Sequence, residues 1–265
     1  MYLVELRGTG VPVVCLHGYC QSSAYWEPTL DRLAASGRAA IAPDLPGFGG
    51  SADQPGPYTM EGYADAIART LDAQGISRVV LIGGSMGGVV GGVVAQHFVL
   101  RHPDLIERLL LVVTGASTID PAAALAKADV LASGPWNAAT AGPIVAGFFH
   151  QPQSGGRQEM AMRIAMGASQ RAAVEAARSN AVSNTFDRLG RIAVPVMIIQ
   201  GRHDRSRTPE HAAAMQKQIA DCHVAVLPNS GHTPQLEEPD AFHDLALPFL
   251  IAEGAGIDAA PLATP

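Results

Sequence analysis

Few of the 265 residues carry a charge: Asp, Glu, Lys and Arg make up 16% of the chain. The balance is acidic, at −6, and no run of lysines or arginines occurs. A chain with neither a basic patch nor a basic tail is not expected to bind nucleic acid. Cysteine is scarce: Cys15, Cys20 and Cys222 form an odd set with no C-x-x-C spacing. That argues against a disulfide framework and predicts reduced thiols in a cytoplasmic protein. The opening residues, Met1 to Arg7, lack the basic start and apolar core of a signal peptide. The apolar stretch 86–100 falls short of the roughly 20 residues that span a bilayer. It closes on Gln96, His97 and Arg101, so no membrane partner is expected. There is no H-E-x-x-H and no tight histidine–carboxylate cluster, which predicts no metal. The turn Gly47-Phe48-Gly49-Gly50 lacks the Lys-Ser/Thr of a phosphate loop and the full G-x-G-x-x-G of a dinucleotide site. No cofactor is expected.

What is abundant is apolar: 48% of the residues are hydrophobic, which suits a large buried core. The length suits one α/β domain carrying an insertion. Short Val/Ile/Leu runs predict strands at 2–6, 11–16, 39–42, 79–82, 109–113, 196–199 and 224–227. They are mostly continuous rather than alternating, as strands read when helices cover both faces. Helical patterns fall at 26–35, 60–73, 86–101, 209–219 and 239–250. The β-α-β-α order predicts an α/β fold with a doubly wound, mostly parallel sheet. Interior glycines cost a helix roughly 1 kcal/mol each. Those in 86–101 are therefore expected to let that helix pack close to the sheet. From about 119 to 188 no strand is evident, and helix-like stretches occupy 122–131 and 159–178. This reads as a helical insertion at the carboxyl edge, where open α/β sheets bind ligands. The tail, 253–265, is small and polar and is expected to be loose.

The chemistry centres on Gly83-Gly84-Ser85-Met86-Gly87. A serine between small residues, after a strand and before a helix, is the G-x-S-x-G nucleophile elbow. The tight turn lifts the hydroxyl out of the sheet and aims the next backbone N–H, that of Met86, at the place where an oxyanion forms. A serine nucleophile needs a base, and the base needs an orienting carboxylate. Asp204 follows the strand 196–199, and His232 follows the strand 224–227. Ser85, Asp204 and His232 thus come in order, each just past a strand's carboxyl end. A His17-Gly18-Tyr19 turn after the strand 11–16 makes the Tyr19 N–H the second oxyanion donor. His17 is expected to hydrogen-bond loop backbone, and Asp44 to stabilise its own turn. Cys20 and Trp26 are candidate substrate contacts. Gly84 should leave space beside the nucleophile.

These motifs resemble the α/β-hydrolase superfamily over nearly the full length of the chain. The resemblance rests on His17-Gly18-Tyr19 with Trp26 downstream, Asp44-Leu45-Pro46-Gly47-Phe48-Gly49 before Ser51, the elbow at Ser85, Gly201 through Asp204, and Ser230-Gly231-His232. It is similar in particular to small lidded serine esterases, cofactor-free haloperoxidase-like enzymes and ring-cleavage hydrolases. The resemblance implies a core formed by 1–118 and 189–252, with a helical cap at 119–188. It also implies hydrolysis of small apolar esters or lactones through an acyl-enzyme. Three alternatives remain open. One is carbon–carbon bond hydrolysis or perhydrolysis with the same triad. Another is N-acyl homoserine lactone hydrolysis, which the stretch Tyr58 to Ala66 resembles. The third is a small-ligand receptor on a hydrolase scaffold. Two features depart from the pattern. The fold usually begins with a hairpin, but only 2–6 precedes the strand 11–16, so the sheet is expected to lack its first edge strand. The residue before the nucleophile is Gly84, where relatives often carry a bulky side chain. Monomer and homodimer are both compatible with the sequence.

Overall fold

The structure is a computed structural model that describes residues 1–84, 91–153 and 156–252. The expectation for the tail 253–265 lies outside the described residues, as do Ser85 and Met86.

Seven strands form one sheet in the order β1-β3-β2-β4-β5-β6-β7. They are β1 (Tyr2–Leu6), β2 (Thr9–Leu16), β3 (Arg38–Asp44), β4 (Val79–Gly84), β5 (Ile106–Val112), β6 (Val196–Gly201) and β7 (Cys222–Leu227). β1 is antiparallel to β3 and forms one edge; every other pairing is parallel. The chain winds outward from β2 to β3, then crosses back to β4 on the other side of β2. That reversal is a topological switch point, and it leaves a crevice at the carboxyl ends of β2 and β4. Leu16 pairs with Gly83 there. The His17-Gly18-Tyr19 turn therefore begins beside the end of β4 at Gly84.

Side chains alternate along each strand, and the two sets feed two cores. Val14, Leu16, Val79, Leu81, Leu109 and Leu111 face α2 (Met60–Ala73) and α3 (Gly91–Arg101), where Tyr63, Ile67 and Phe98 pack. Val13, Cys15, Val80, Ile82, Leu110 and Val112 face α1 (Glu27–Ala35) and α10 (Pro239–Ile251), with Leu33, Phe242 and Leu250. Each fully buried Leu or Phe contributes about 1.5–3 kcal/mol of transfer free energy.

The glycines of α3 serve close packing, as expected. A Cβ on Gly91 would lie 2.2 Å from the Gly84 carbonyl oxygen and 2.5 Å from that of His17. One on Gly92 would lie 2.4 Å from the Thr114 hydroxyl. The helix thus rests directly on the strand ends, too close for any larger residue.

Between β5 and β6 lie α4 (Pro121–Ser133), α5 (Ala138–Ala146), α6 (Arg157–Gly167) and α7 (Gln170–Val182). The single helix-like stretch read at 159–178 is two helices. Ser169 interrupts it with extended backbone and caps α7 through its hydroxyl. These helices sit over the carboxyl-edge loops. Ser169 N–H donates to the Gly47 carbonyl at 2.9 Å, the Tyr19 hydroxyl donates to the Ala173 carbonyl at 3.1 Å, and Met60 N–H donates to Ser179 Oγ at 3.1 Å. α8 (Pro209–Gln216) follows β6, and the single turn α9 (Pro234–Glu237) follows β7 ahead of α10. Among the described residues no helix is long and apolar enough to cross a membrane.

Candidate active site

Asp204 and His232, 28 residues apart in the chain, meet at the carboxyl edge. His232 Nδ1 lies in hydrogen-bond contact with Asp204 Oδ2, and both side chains are almost wholly buried. The loops that carry them are sewn together. Arg202 N–H donates to the Leu227 carbonyl at 2.9 Å, and His203 N–H to the Ser230 carbonyl at 3.0 Å. A Cβ on Gly201 would lie 1.9 Å from the Gly231 carbonyl oxygen, so the His232 loop can cross here only over glycine. The buried Gln200 amide donates to the carbonyls of Arg207 and Gly201, closing the Asp204 loop from beneath.

Asp204 divides its oxygens. Oδ1 accepts from Ser206 N–H at 2.8 Å, Ser206 Oγ at 2.9 Å and Arg207 N–H at 3.0 Å. Oδ2 faces His232. Burial pushes this carboxyl upward. The charge and hydrogen bond of His232, with the Arg207 and Ser206 N–H groups, more than reverse that and hold it below its ordinary 3.8. Asp204 is therefore ionised at neutral pH and keeps the Nδ1 proton on the imidazole.

The turn after β2 is locked by side chains. Leu45 N–H donates to His17 Nε2 at 2.9 Å, so Nε2 is unprotonated. Nδ1 then carries the proton and donates it to the Gly18 carbonyl at 2.7 Å. Gly18 N–H donates to Gln21 Oε1 at 2.9 Å. Asp44 accepts from Ser23 N–H and Gly50 N–H, both at 2.6 Å. His17 and Asp44 thus bind loop backbone, as the sequence indicated. Tyr19 is buried at the end of this turn.

Burial holds the imidazoles of His17, His97 and His243 below their ordinary 6.5. The unfolded chain takes up protons at these sites as pH falls through about 6.5, whereas the folded chain resists until lower pH. Fewer protons on the native state means that acid favours unfolding. Urea melts should show stability falling from pH 7 to pH 5, by up to about 1.4 kcal/mol per pH unit for each proton withheld. Stability that is flat or rising over that interval would contradict this account.

Trp26, Gly84 and Cys20 were expected to border substrate. Trp26 is 1% exposed and belongs to the α1/α10 core, on the opposite face of the sheet from α2 and α3. Its ring explains Gly84: a Cβ there would lie 2.9 Å from Trp26 Cζ2. The indole, rather than open space, occupies the room that the bare glycine leaves. Cys20 is fully buried in the other core, with φ at +53° in the left-handed region. Burial pushes its thiol well up, so it is protonated and not nucleophilic.

Sequence reasoning missed Ser206 and Glu237. Ser206 Oγ lies 3.3 Å from His232 Nδ1 besides bonding Asp204. Its signal was an Asp followed two residues on by Ser, the pattern of a side chain folding back on its own turn. Glu237 accepts from the N–H groups of Gly231 and Thr233. Its signal was Thr233-Pro234 ahead of an acid, a helix start.

A model of the alpha/beta hydrolase family matches residues 13–245. The chain is 27% identical to the pimeloyl-[acyl-carrier protein] methyl ester esterase of Vibrio atlanticus, over 90% of this chain and 93% of that one. A thermophilic esterase from Thermogutta terrifontis superposes with a TM-score of 0.81 at 26% identity, covering 94% of this chain and 92% of that one. An esterase from Exiguobacterium antarcticum gives 0.85 at 24% identity, over 95% of each chain. With the mostly parallel sheet and the paired loops at its carboxyl edge, the match over residues 13–245 settles the family: the chain belongs to the alpha/beta hydrolases.

Proposed function

We propose that this hydrolase cleaves carboxylic esters or lactones of small apolar substrates through a serine acyl-enzyme. The observation that carries the reading is the buried Asp204–His232 pair. It stands at the same sheet edge at which β4 ends on Gly84, the residue before Ser85 in the chain. Ser85 Oγ attacks the ester carbonyl carbon while His232 Nε2 takes the hydroxyl proton. Asp204 holds the imidazole as the Nδ1–H tautomer and stabilises its cationic form. The N–H groups of Tyr19 and Met86 receive the oxyanion. The carbon–oxygen bond to the alcohol breaks, and the alcohol leaves with the proton from Nε2. Water then gives a proton to Nε2 and attacks the acyl carbon; the bond to Ser85 Oγ breaks, Oγ takes the proton back from Nε2, and the acid is released. The helices of 119–188 form a cap over a core of 1–118 and 189–252, excluding water from the reacting carbonyl. Cys15, Cys20 and Cys222 are all unpaired, which fits a reducing, cytoplasmic setting.

The similarity to the pimeloyl-[acyl-carrier protein] methyl ester esterase of Vibrio atlanticus and to the Thermogutta terrifontis esterase supports the ester. A panel of p-nitrophenyl esters, lactones of varied acyl length and a ring-fission dienoate tests the assignment. Ester or lactone turnover is expected. Acid release from the dienoate alone would move the chemistry to carbon–carbon cleavage. No turnover, with tight binding of one panel member, would indicate a receptor.

A further inference from the structure

Glu237 sits one helical turn beyond His232, half-buried, and joins two parts of the molecule that the chain keeps apart. Its Oε1 accepts from Gly231 N–H at 3.1 Å and from Thr233 N–H at 2.9 Å. Those two residues bracket His232, so one oxygen holds the Ser230–Gly231 and His232–Thr233 peptides, before and after the imidazole. Oε2 accepts from His150 N–H at 2.6 Å, in the segment that follows α5. Thr233 Oγ1 lies within reach of Oε1 at 3.2 Å, but its single proton has a nearer acceptor, the Phe148 carbonyl at 2.9 Å. That bond is a second tie between the His232 loop and the 148–150 segment. The contact is close enough that a Cβ on Gly231 would lie 3.0 Å from His150 Cβ. The His150 ring in turn stacks on His203, the neighbour of Asp204, at 3.8 Å and 7°.

We infer that Glu237 is a positioning residue: its carboxylate sets the aim of the His232 imidazole and fastens that aim to the helical region above. The inference rests on His232 being the base for Ser85. A carboxylate suits the task because it only accepts and has two oxygens to divide between two loops. An amide fills only half of the role. With its oxygen on Gly231 and Thr233, its NH₂ meets the His150 N–H, donor against donor.

The rate at which a fluorophosphonate labels Ser85 reads the aim of the base without any need to know the substrate. Amide hydrogen exchange across 148–150 reads the tie to the helical region. Glu237→Met keeps the volume and removes both acceptors. It should slow labelling by about 10²-fold, the scale of a misplacement near 1 Å, and speed exchange. Glu237→Gln should label nearly as fast as wild type, yet exchange faster at 148–150. That rescue is not expected of a residue that only supports the fold. Should Glu237→Met fail to fold, Glu237→Asp, one methylene short of both loops, should show the same slow labelling. Folded Glu237→Met or Glu237→Asp labelling at the wild-type rate would overturn the inference. Glu237→Gln as slow as Glu237→Met would overturn the division between the two oxygens. A wild type that is never labelled would remove the serine reading itself, and the inference with it.

Discussion

Ser85→Ala is expected to lower kcat on p-nitrophenyl esters by on the order of 10⁴-fold or more, with KM little changed. The asymmetry follows from the division of labour in the crevice. In the proposed mechanism the oxyanion donors hold the substrate carbonyl, and the substitution leaves them in place. What is lost is the covalent step, and with it the two-stage path that His232 drives. A residual rate above that of water should persist, because N–H donors still stabilise a tetrahedral intermediate formed by direct attack of water. Steady-state kinetics on the two purified proteins would show the split. Near-normal turnover by the variant would end the assignment of Ser85.

Asp204→Asn should be nearly as damaging, on the order of 10⁴-fold in kcat, although it changes one atom and preserves shape. The hydrogen bonds determine how the amide must lie. Ser206 N–H, Ser206 Oγ and Arg207 N–H all point at Oδ1, so the amide oxygen takes that place. The NH₂ then faces His232 Nδ1, where Oδ2 was. It donates to Nδ1 and drives the imidazole proton to Nε2. The lone pair that should accept the serine proton is gone, and no carboxylate remains to stabilise the imidazolium. The fold should survive, since the backbone bonds to the loop are kept. The same variant has a signature in acid. A carboxyl held below its ordinary 3.8 contributes stability that is present above that pH and lost as pH falls through the lowered value. Asp204→Asn should therefore flatten the decline in stability below about pH 4. A variant that kept wild-type kcat would show that the imidazole does not depend on this carboxylate.

Much of this arrangement was legible in the chain because it is written in local signals. Continuous apolar runs located all seven strands, with β7 beginning at Cys222 and β3 continuing to Asp44. The Asp204 and His232 loops were readable because each follows a strand, and parallel strands deliver their carboxyl ends to one edge. Other features depend on contacts that no local pattern encodes. Tyr25 and Trp26 are adjacent, yet they enter opposite cores, and only the packed turn decides which ring meets Gly84. α5 was missed because Gly142 and Pro143 lie inside it. Its start, Asn137 capped reciprocally with Thr140, was the better guide. Glu237 could be seen to open a helix. That its second oxygen reaches His150, 87 residues away, could not.

Mapping the fluorophosphonate adduct by mass spectrometry shows whether Ser85 is the nucleophile. Ser206 is the informative competitor, since its hydroxyl is 3.3 Å from His232 Nδ1. One adduct is expected, on the peptide that contains Ser85, which disappears in Ser85→Ala and forms far more slowly in His232→Ala. An adduct on Ser206 or Ser230, or ester turnover by a wild type that never reacts, would contradict the Ser85 assignment.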